Sequence, residues 1–166
     1  MSIFYTHNEK NSVIFAPSCG NVLPIDDVPD AVFSSGALGE GFALIPEVGE
    51  VLSPCSGKIT FVSDLLNNYY IKSDDGYELL IRIGIGSEKM LGDGIRPYVE
   101  KGQQVVIGTP LCGFDKALFH QNNVPPLVSV ILLNSDEYSS ITVFEGSCHA
   151  AKTEVMTFLS SPNKLT

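Results

Sequence analysis

An arginine in the middle of an apolar run is the residue whose chemistry stands out most. The run YELLIRIGIG spans residues 77–86 and has the apolar content of a buried strand, with Arg82 at its centre. A guanidinium group is permanently charged and presents five N–H donors in a fixed fork, a geometry that suits carboxylates and phosphates. With the carboxamide of Asn67, Arg82 indicates a candidate site for an anion carried by a partner.

Both residues also have an ordinary structural interpretation. Arg82 can pair with Glu88 or Asp93, or lie with its aliphatic stem on Leu80 and only its charged end in water. Paired asparagines such as those at 67 and 68 are common in turns. The sequence leaves the anion site and the ion pair open as alternatives.

The cysteines and histidines do not form the patterns of a metal or redox site. Four cysteines are spread through the chain without a C-x-x-C pair and without clustered histidines, at Cys19, Cys55, Cys112 and Cys148. We expect small thiols that are buried or half-buried, a fold that needs neither disulfides nor metal, and no cofactor.

Length and composition indicate one globular domain. The chain has 166 residues, 44% of them apolar and 17% charged, which is enough for a sizeable core. Its formal net charge of -9 argues against binding to nucleic acid or insertion into an anionic membrane. No apolar run reaches the roughly 18 residues of a membrane span, and the N-terminus lacks the pattern of a secretion signal. We therefore expect a cytoplasmic protein.

Short strand-like runs separated by Gly, Pro, Asn and Asp predict an all-β sandwich or barrel. The runs lie at 12–17, 41–46, 57–62, 69–73, 77–85, 103–108, 126–133 and 153–158. Segments 92–102 and 115–123 are expected to hold no more than a helical turn or a short helix each. A P-x-x-G pattern recurs at 16–20, 53–57 and 109–113 and predicts tight turns leading into strands. The domain is predicted over 12–159, with tails at 1–11 and 160–166.

Several of these segments together resemble a known family. In order they are A-P-x-x-G, D-V-P-D-x-V-F, G-x-G, P-x-x-G-x-I, S-D-x-G-x-E-L and K-G-Q-x-V-x-x-G, and they cover residues 12–158. This combination is similar to the glucose-type enzyme IIA family of the bacterial sugar phosphotransferase system. The resemblance implies an antiparallel β-sandwich with a shallow apolar depression on one face.

The resemblance also implies a chemistry that this chain lacks the residues to perform. In the family a histidine, supported by a second histidine, receives phosphate from the histidine phosphocarrier protein and passes it to a cysteine of the permease IIB domain. Aligned on the family pattern, the acceptor position holds Arg82 and the supporting position holds Asn67; a nearby threonine becomes Leu65 and an aspartate becomes Gly86. Phosphoryl acceptance needs a lone pair on a neutral imidazole nitrogen, which neither guanidinium nor amide provides.

The histidines of this chain lie outside the matching strands, at His7, His120 and His149. The resemblance therefore implies no catalytic residue at the old acceptor site. It further implies an apolar docking rim, matched or neighboured by Val32, Phe33, Leu38, Leu65 and Leu80.

These expectations combine into one hypothesis and one alternative. The chain is an enzyme IIA relative that does not accept phosphate and acts as a binding or regulatory module. Its implied partners are the histidine phosphocarrier protein, a IIB domain, or a permease or kinase under regulation. The alternative is an active phosphocarrier that uses an unexpected acceptor and passes phosphate from the histidine phosphocarrier protein to a IIB domain.

Overall fold

In the computed structural model, which describes residues 10–160, the chain consists mainly of short strands. Two short α-helices, α1 (Ala31–Ser34) and α2 (Lys116–Gln121), and three 3-10 helices, Ile25–Asp27, Ser87–Met90 and Ser135–Glu137, interrupt them. The strands are β1 Asn11–Phe15, β2 Gly20–Pro24, β3 Glu40–Pro46, β4 Glu50–Leu52, β5 Gly57–Val62, β6 Asn68–Ser73, β7 Glu78–Ile83, β8 Ile95–Pro97, β9 Gln104–Val105, β10 Pro110–Phe114, β11 Val128–Leu133, β12 Tyr138–Val143, β13 Gly146–Cys148 and β14 Glu154–Ser160.

The strands form one large sheet and two small ones. The large sheet has eight strands in the order β13-β2-β3-β11-β7-β6-β5-β9, and the small sheets have the orders β1-β14-β12 and β4-β10-β8. Every strand pair in the described residues is antiparallel. The prediction of an all-β antiparallel sandwich of many short strands is confirmed.

Strand β7 is buried on both faces, which explains why apolar and polar residues do not alternate along it. Leu79, Ile81 and Ile83 belong to the main core, which also takes in apolar side chains from both small sheets. Leu80 belongs to a second, smaller core on the opposite face, together with Phe33 of α1. Arg82 is two residues further along β7 and so points to the same outer face as Leu80. Helix α1 therefore covers the sheet next to the arginine.

The P-x-x-G pattern marks positions where backbones come close together. A Cβ added to Gly20 would lie 2.0 Å from the carbonyl oxygen of Ile45, and one added to Gly57 would lie 2.3 Å from that of Lys72. Real Cβ atoms do not approach so closely, so these strands can pair only with glycine at those positions. The predicted turn-to-strand role is confirmed at Gly20 and Gly57, which begin β2 and β5.

Two expectations about local structure have different outcomes. Segment 115–123 contains α2, as predicted. The prediction of a helical turn in 92–102 is wrong in its central part: Ile95–Pro97 form β8, which pairs with β10. A proline fixes φ and removes a donor, which edge strands tolerate and helix interiors do not.

The chain ends fall partly outside the described residues. The tails predicted at 1–11 and 160–166 lie outside them except for residues 10, 11 and 160. Asn11 begins β1 and Ser160 ends β14, and the two strands pair with each other. Within residues 10–160, no helix combines the length and the apolar character needed to cross a membrane.

Candidate functional site

A depression of about 260 Å³ lies on the outer face of the eight-stranded sheet, beside helix α1. It combines apolar and charged side chains. The residues that line it are Asp30, Val32, Phe33, Leu38, Asn68, Tyr70, Leu80, Arg82 and Glu88.

The register of three strands places the arginine in the floor. Arg82 of β7 is directly opposite Asn68 of β6 on one side and Ser129 of β11 on the other. Directly opposed residues on neighbouring strands share a face, so the three side chains form one polar row across the sheet. The side chain of Arg82 is only 10% exposed.

The guanidinium of Arg82 has three partners within the protein. Its Nη2 donates to the Oε1 carboxylate oxygen of Glu88, and its Nη1 donates to the Oδ1 of Asn68 at 3.3 Å. Its Cζ lies 5.6 Å from the ring centroid of Phe33, within range of a cation–π contact. Among the described residues, the buried Nε of Arg82 and the Oγ of Ser129 have no hydrogen-bond partner. The arginine is therefore held by an ion pair, as one of the two sequence interpretations expected.

The electrostatics of the depression no longer favour an anion. The pKa of Arg82 is lowered, because burial disfavours the charged guanidinium more than the electrostatic attraction of Asp30 and Tyr70 favours it. Next to Glu88 the guanidinium stays protonated at neutral pH. The lining therefore carries one positive charge, on Arg82, and two acidic side chains, Asp30 and Glu88. An anion from a partner must displace Glu88 before it can reach the Arg82 Nη2.

A buried polar network holds Glu88 over Arg82. Glu88 lies on the 3-10 helix Ser87–Met90, whose ends are left-handed residues, Gly86 (φ 69°) and Leu91 (φ 53°). The hydroxyl of Ser87 donates to the carbonyl of Ile83 at 2.6 Å and accepts from the Nδ2 of Asn67 at 3.1 Å. The helix is thereby fixed to β7 and to the segment before β6.

Asn67 acts as an anchor in this network rather than as part of the depression. It is 1% exposed, and its Oδ1 accepts from the Ser63 hydroxyl at 3.0 Å and from the Asn68 Nδ2 at 3.2 Å. The structure brings Asn68, not Asn67, against the guanidinium. Leu65 is half-buried and is likewise not among the lining residues.

The other predicted binding residues do come together. Val32, Phe33, Leu38, Leu80 and Arg82 all line the depression. Phe33 and Leu80 are buried in the second core, whereas Val32 is 53% exposed and forms part of the rim.

Four residues that line the depression were not predicted to do so from the sequence: Asp30, Asn68, Tyr70 and Glu88. Glu88 was expected only as a possible ion-pair partner of Arg82. The carboxylate of Asp30 accepts from the backbone N–H of Val32 at 2.9 Å and caps α1. An Asp three residues before an apolar Phe is a readable N-cap signal, and it would have placed this carboxylate at the rim.

Among the described residues, no histidine lines the depression. His120 lies in the last turn of α2 and His149 follows β13, and both are exposed and absent from the depression. His7 lies outside the described residues. Within residues 10–160, no three His, Cys, Asp or Glu side chains are grouped as metal ligands would be. The prediction of buried or half-buried thiols is confirmed: Cys19 is half-buried, and Cys55, Cys112 and Cys148 are buried.

Comparison with known proteins places the chain in a family. Residues 12–138 match the model of the phosphoenolpyruvate-dependent sugar phosphotransferase system, EIIA 1. A glucose-specific EIIA component of a phosphotransferase system from Staphylococcus aureus is 34% identical over 137 residues, covering 82% of each chain. The corresponding protein from Staphylococcus epidermidis is 37% identical over 135 residues, covering 81% of each.

A solved structure agrees with these matches. The glucose permease IIA from Mycoplasma capricolum superimposes with a TM-score of 0.81 and 26% identity, covering 95% of this chain and 99% of that one. The resemblance inferred from the sequence is confirmed at the level of family and fold. The chain belongs to the EIIA 1 family of the phosphoenolpyruvate-dependent sugar phosphotransferase system.

Proposed function

We propose that this protein is an enzyme IIA relative that does not accept a phosphoryl group and instead acts as a cytoplasmic binding or regulatory module. The observation that carries the proposal is the Arg82–Glu88 ion pair at the position where the family pattern places the acceptor histidine. The partner comes from the same system: the histidine phosphocarrier protein, a IIB domain, or a permease or kinase under its control.

The chemistry of the depression supports the loss of transfer. A phosphoryl acceptor needs a nucleophilic lone pair that faces the incoming group. The lining contains no imidazole, and the guanidinium at the acceptor position is engaged by Glu88 and Asn68. Asn67, at the supporting position, is turned into the buried network with Ser87.

The shape of the depression supports retained docking. Its rim keeps exposed Val32, and its apolar floor continues into Phe33 and Leu80 of the second core. A shallow depression that places apolar side chains beside charged ones is a common feature of protein-binding sites. We infer that the partner surface is preserved while the transfer chemistry is absent.

The arginine gives this binding a specific dependence on phosphorylation. A phosphorylated histidine of the carrier can compete with Glu88 for the guanidinium, and a charge-assisted hydrogen bond contributes about 1.5–3 kcal/mol when desolvated. We expect a dead-end complex with the phosphorylated carrier, weakened by the cost of displacing Glu88. Removal of the Glu88 charge should therefore strengthen the preference for the phosphorylated form.

Calorimetry with both forms of the carrier tests this proposal. The Arg82→Ala variant should lose the preference for the phosphorylated carrier, and Glu88→Gln should increase it. Leu80→Asp should weaken binding of both forms by placing a charge in the apolar floor. Glu78→Gln, which removes a carboxylate from the exposed pair with Lys72, serves as the matched control.

Two results would count against the proposal. Absence of binding to the carrier, to a IIB domain and to the regulated permease or kinase would remove the docking role. Equal affinity for the two carrier forms in the wild-type protein and in Glu88→Gln would leave Arg82 as a structural residue without a role in recognition.

A further inference from the structure

A second concave site lies on the small sheet β4-β10-β8, and the proposed function does not use it. It is a cleft of about 450 Å³, within the size range of small-molecule sites. Its main lining residues are Gly49, Arg96, Tyr98, Gly113, Phe114 and Asp115. None of its lining residues is shared with the depression around Arg82.

Two glycines create the floor of the cleft. Gly113 of β10 stands directly between Arg96 of β8 and Glu50 of β4 in the strand register. Because Gly113 has no side chain, Tyr98 leans over it: a Cβ added there would lie 3.0 Å from the tyrosine hydroxyl. A Cβ added to Gly49 would lie 1.9 Å from the carbonyl oxygen of Phe114, so the backbone itself forms the bottom of the site.

The polar groups around this floor have unused hydrogen-bonding capacity. In the described part of the chain, neither the Arg96 guanidinium nor the Tyr98 hydroxyl has a hydrogen-bond or ion-pair partner. Asp115 uses its Oδ1 to cap α2 through the N–H of Leu118 at 3.0 Å, which leaves its Oδ2 free as an acceptor. The cleft therefore presents donors on Arg96, an acceptor on Asp115, and both on Tyr98.

The charges of the cleft argue against a strongly charged ligand. Arg96 contributes one positive charge, Asp115 one negative charge, and Glu50 stands on the far side of Gly113. An anion is attracted by the arginine but repelled by the carboxylates, whereas a cation is attracted by the carboxylates and repelled by the arginine. A neutral molecule with several hydroxyl groups can satisfy donor and acceptor sides together, and Tyr98, 47% exposed, offers an aromatic surface for its C–H groups.

We propose that this cleft binds a neutral polyhydroxylated small molecule, a monosaccharide or a linear polyol. Arg96 donates to ligand hydroxyl oxygens, Asp115 accepts from a ligand hydroxyl, and Tyr98 packs against the carbon skeleton. The site is open and shallow, so binding is weak, with a Kd on the order of 1–10 mM. This inference is independent of whether the depression binds a partner or accepts phosphate.

Titration of the full-length protein, followed by backbone amide NMR, tests the inference. The probes are D-glucose as a cyclic sugar, sorbitol as a linear polyol, and glucose 6-phosphate and inorganic phosphate as charged counterparts. We expect saturable shifts with D-glucose or sorbitol, centred on β8 and β10, and no stronger binding of either phosphate compound. Whichever neutral probe saturates the shifts identifies the source of the ligand.

Variants distinguish a built site from nonspecific contact. Arg96→Ala and Tyr98→Ala should each weaken binding of the neutral probe at least tenfold, and Tyr98→Phe should give a smaller loss because it keeps the ring. Lys101→Ala removes an equally exposed positive charge outside the cleft and should leave binding unchanged. All three positions lie at the surface, so folding of the variants can be verified from their NMR spectra.

Three outcomes would overturn the inference. They are the absence of saturable shifts with both neutral probes, shifts that survive Arg96→Ala and Tyr98→Ala, and tighter binding of inorganic phosphate than of either neutral probe. The last outcome would make the cleft an anion site built on Arg96 alone.

Discussion

Removal of the charge on Glu88 is the perturbation that most sharply tests how Arg82 is accommodated. The Glu88→Gln substitution keeps the length of the side chain and an acceptor oxygen but removes the carboxylate charge. The Arg82 side chain is 10% exposed and that of Glu88 is 51% exposed. The variant therefore leaves a desolvated guanidinium without its main counter-charge.

The expected magnitude lies between two known limits. A fully exposed ion pair contributes about 0–1 kcal/mol, and loss of one partner from a fully buried pair costs about 3–5 kcal/mol. Because one partner is buried and the other is half exposed, we expect a loss of about 2 kcal/mol in the free energy of unfolding. For a chain of this size, that corresponds to a fall of roughly 4–8 °C in Tm.

A double-mutant cycle measured by urea denaturation isolates the interaction. Arg82→Met should be nearly neutral, because it removes a desolvated cation and a buried Nε without a partner. In the Arg82→Met background, Glu88→Gln should then cost close to nothing. The control is Glu78→Gln, which breaks the exposed 3.5 Å pair with Lys72 and should cost less than about 0.5 kcal/mol. If Glu88→Gln costs no more than Glu78→Gln and the cycle shows no coupling, the ion pair does not hold Arg82 and the account of the depression fails.

Three further predictions concern stability. Asn67→Ala should cost about 2–3 kcal/mol in urea denaturation, because it removes the donor to the buried Ser87 hydroxyl and the acceptor of the Ser63 hydroxyl. Asn68→Ala should cost less; equal losses would contradict the anchoring role of Asn67. Burial raises the pKa of Cys55 and of Cys112 from 9.0 to about 12, so both thiols keep their protons in the folded state. The unfolded chain releases these protons above about pH 9, so the free energy of unfolding should fall as the pH rises beyond that value. Unchanged stability up to pH 11 would contradict this. Reductant and chelator should leave Tm nearly unchanged, and a drop of about 10 °C would count against a fold that needs neither disulfide nor metal.

The family pattern and the fold class could be predicted because they rest on local signals. Glycines such as Gly20 and Gly57 are fixed by close backbone approaches, and they recur within the P-x-x-G segments. Strands with long apolar runs, such as β7 and β11, were also predicted. Short strands such as β8 and β13 were not predicted, because three residues that include proline or glycine are too few to show an alternation of apolar and polar side chains. Such strands form only through pairing with the rest of the sheet.

The candidate site was predicted only in part, because strand register is not a local property. Counting between Gly57 and Gly76 placed Asn67 at the supporting position but did not show which asparagine lies beside Arg82. Leu66 adopts φ 63°, and the β5–β6 pairing shifts register between Ile59 and Phe61. A shift of one residue exchanges the two faces of a strand, so Asn68 faces Arg82 while Asn67 turns inward.

The sequence could not decide between an ion pair and an anion site at Arg82 for the same reason, because the answer depends on local backbone geometry. Glu88 and Asp93 were both within reach of Arg82 in the sequence. The left-handed residues Gly86 and Leu91 fix the 3-10 helix so that Glu88 is the partner. Sequence spacing alone does not determine which of two nearby carboxylates a turn presents.

Phosphoryl transfer to the purified protein is the measurement that tests the central claim most directly. The full chain is incubated with phosphoenolpyruvate, enzyme I and the histidine phosphocarrier protein, and its intact mass is recorded beside an active enzyme IIA protein treated identically. We predict that the active protein gains one phosphoryl group and that this chain gains none, because Arg82 stands at the acceptor position and offers no nucleophilic lone pair. Stoichiometric phosphorylation of this chain, abolished by His7→Ala, His120→Ala or His149→Ala, would contradict the account and identify an acceptor outside the depression.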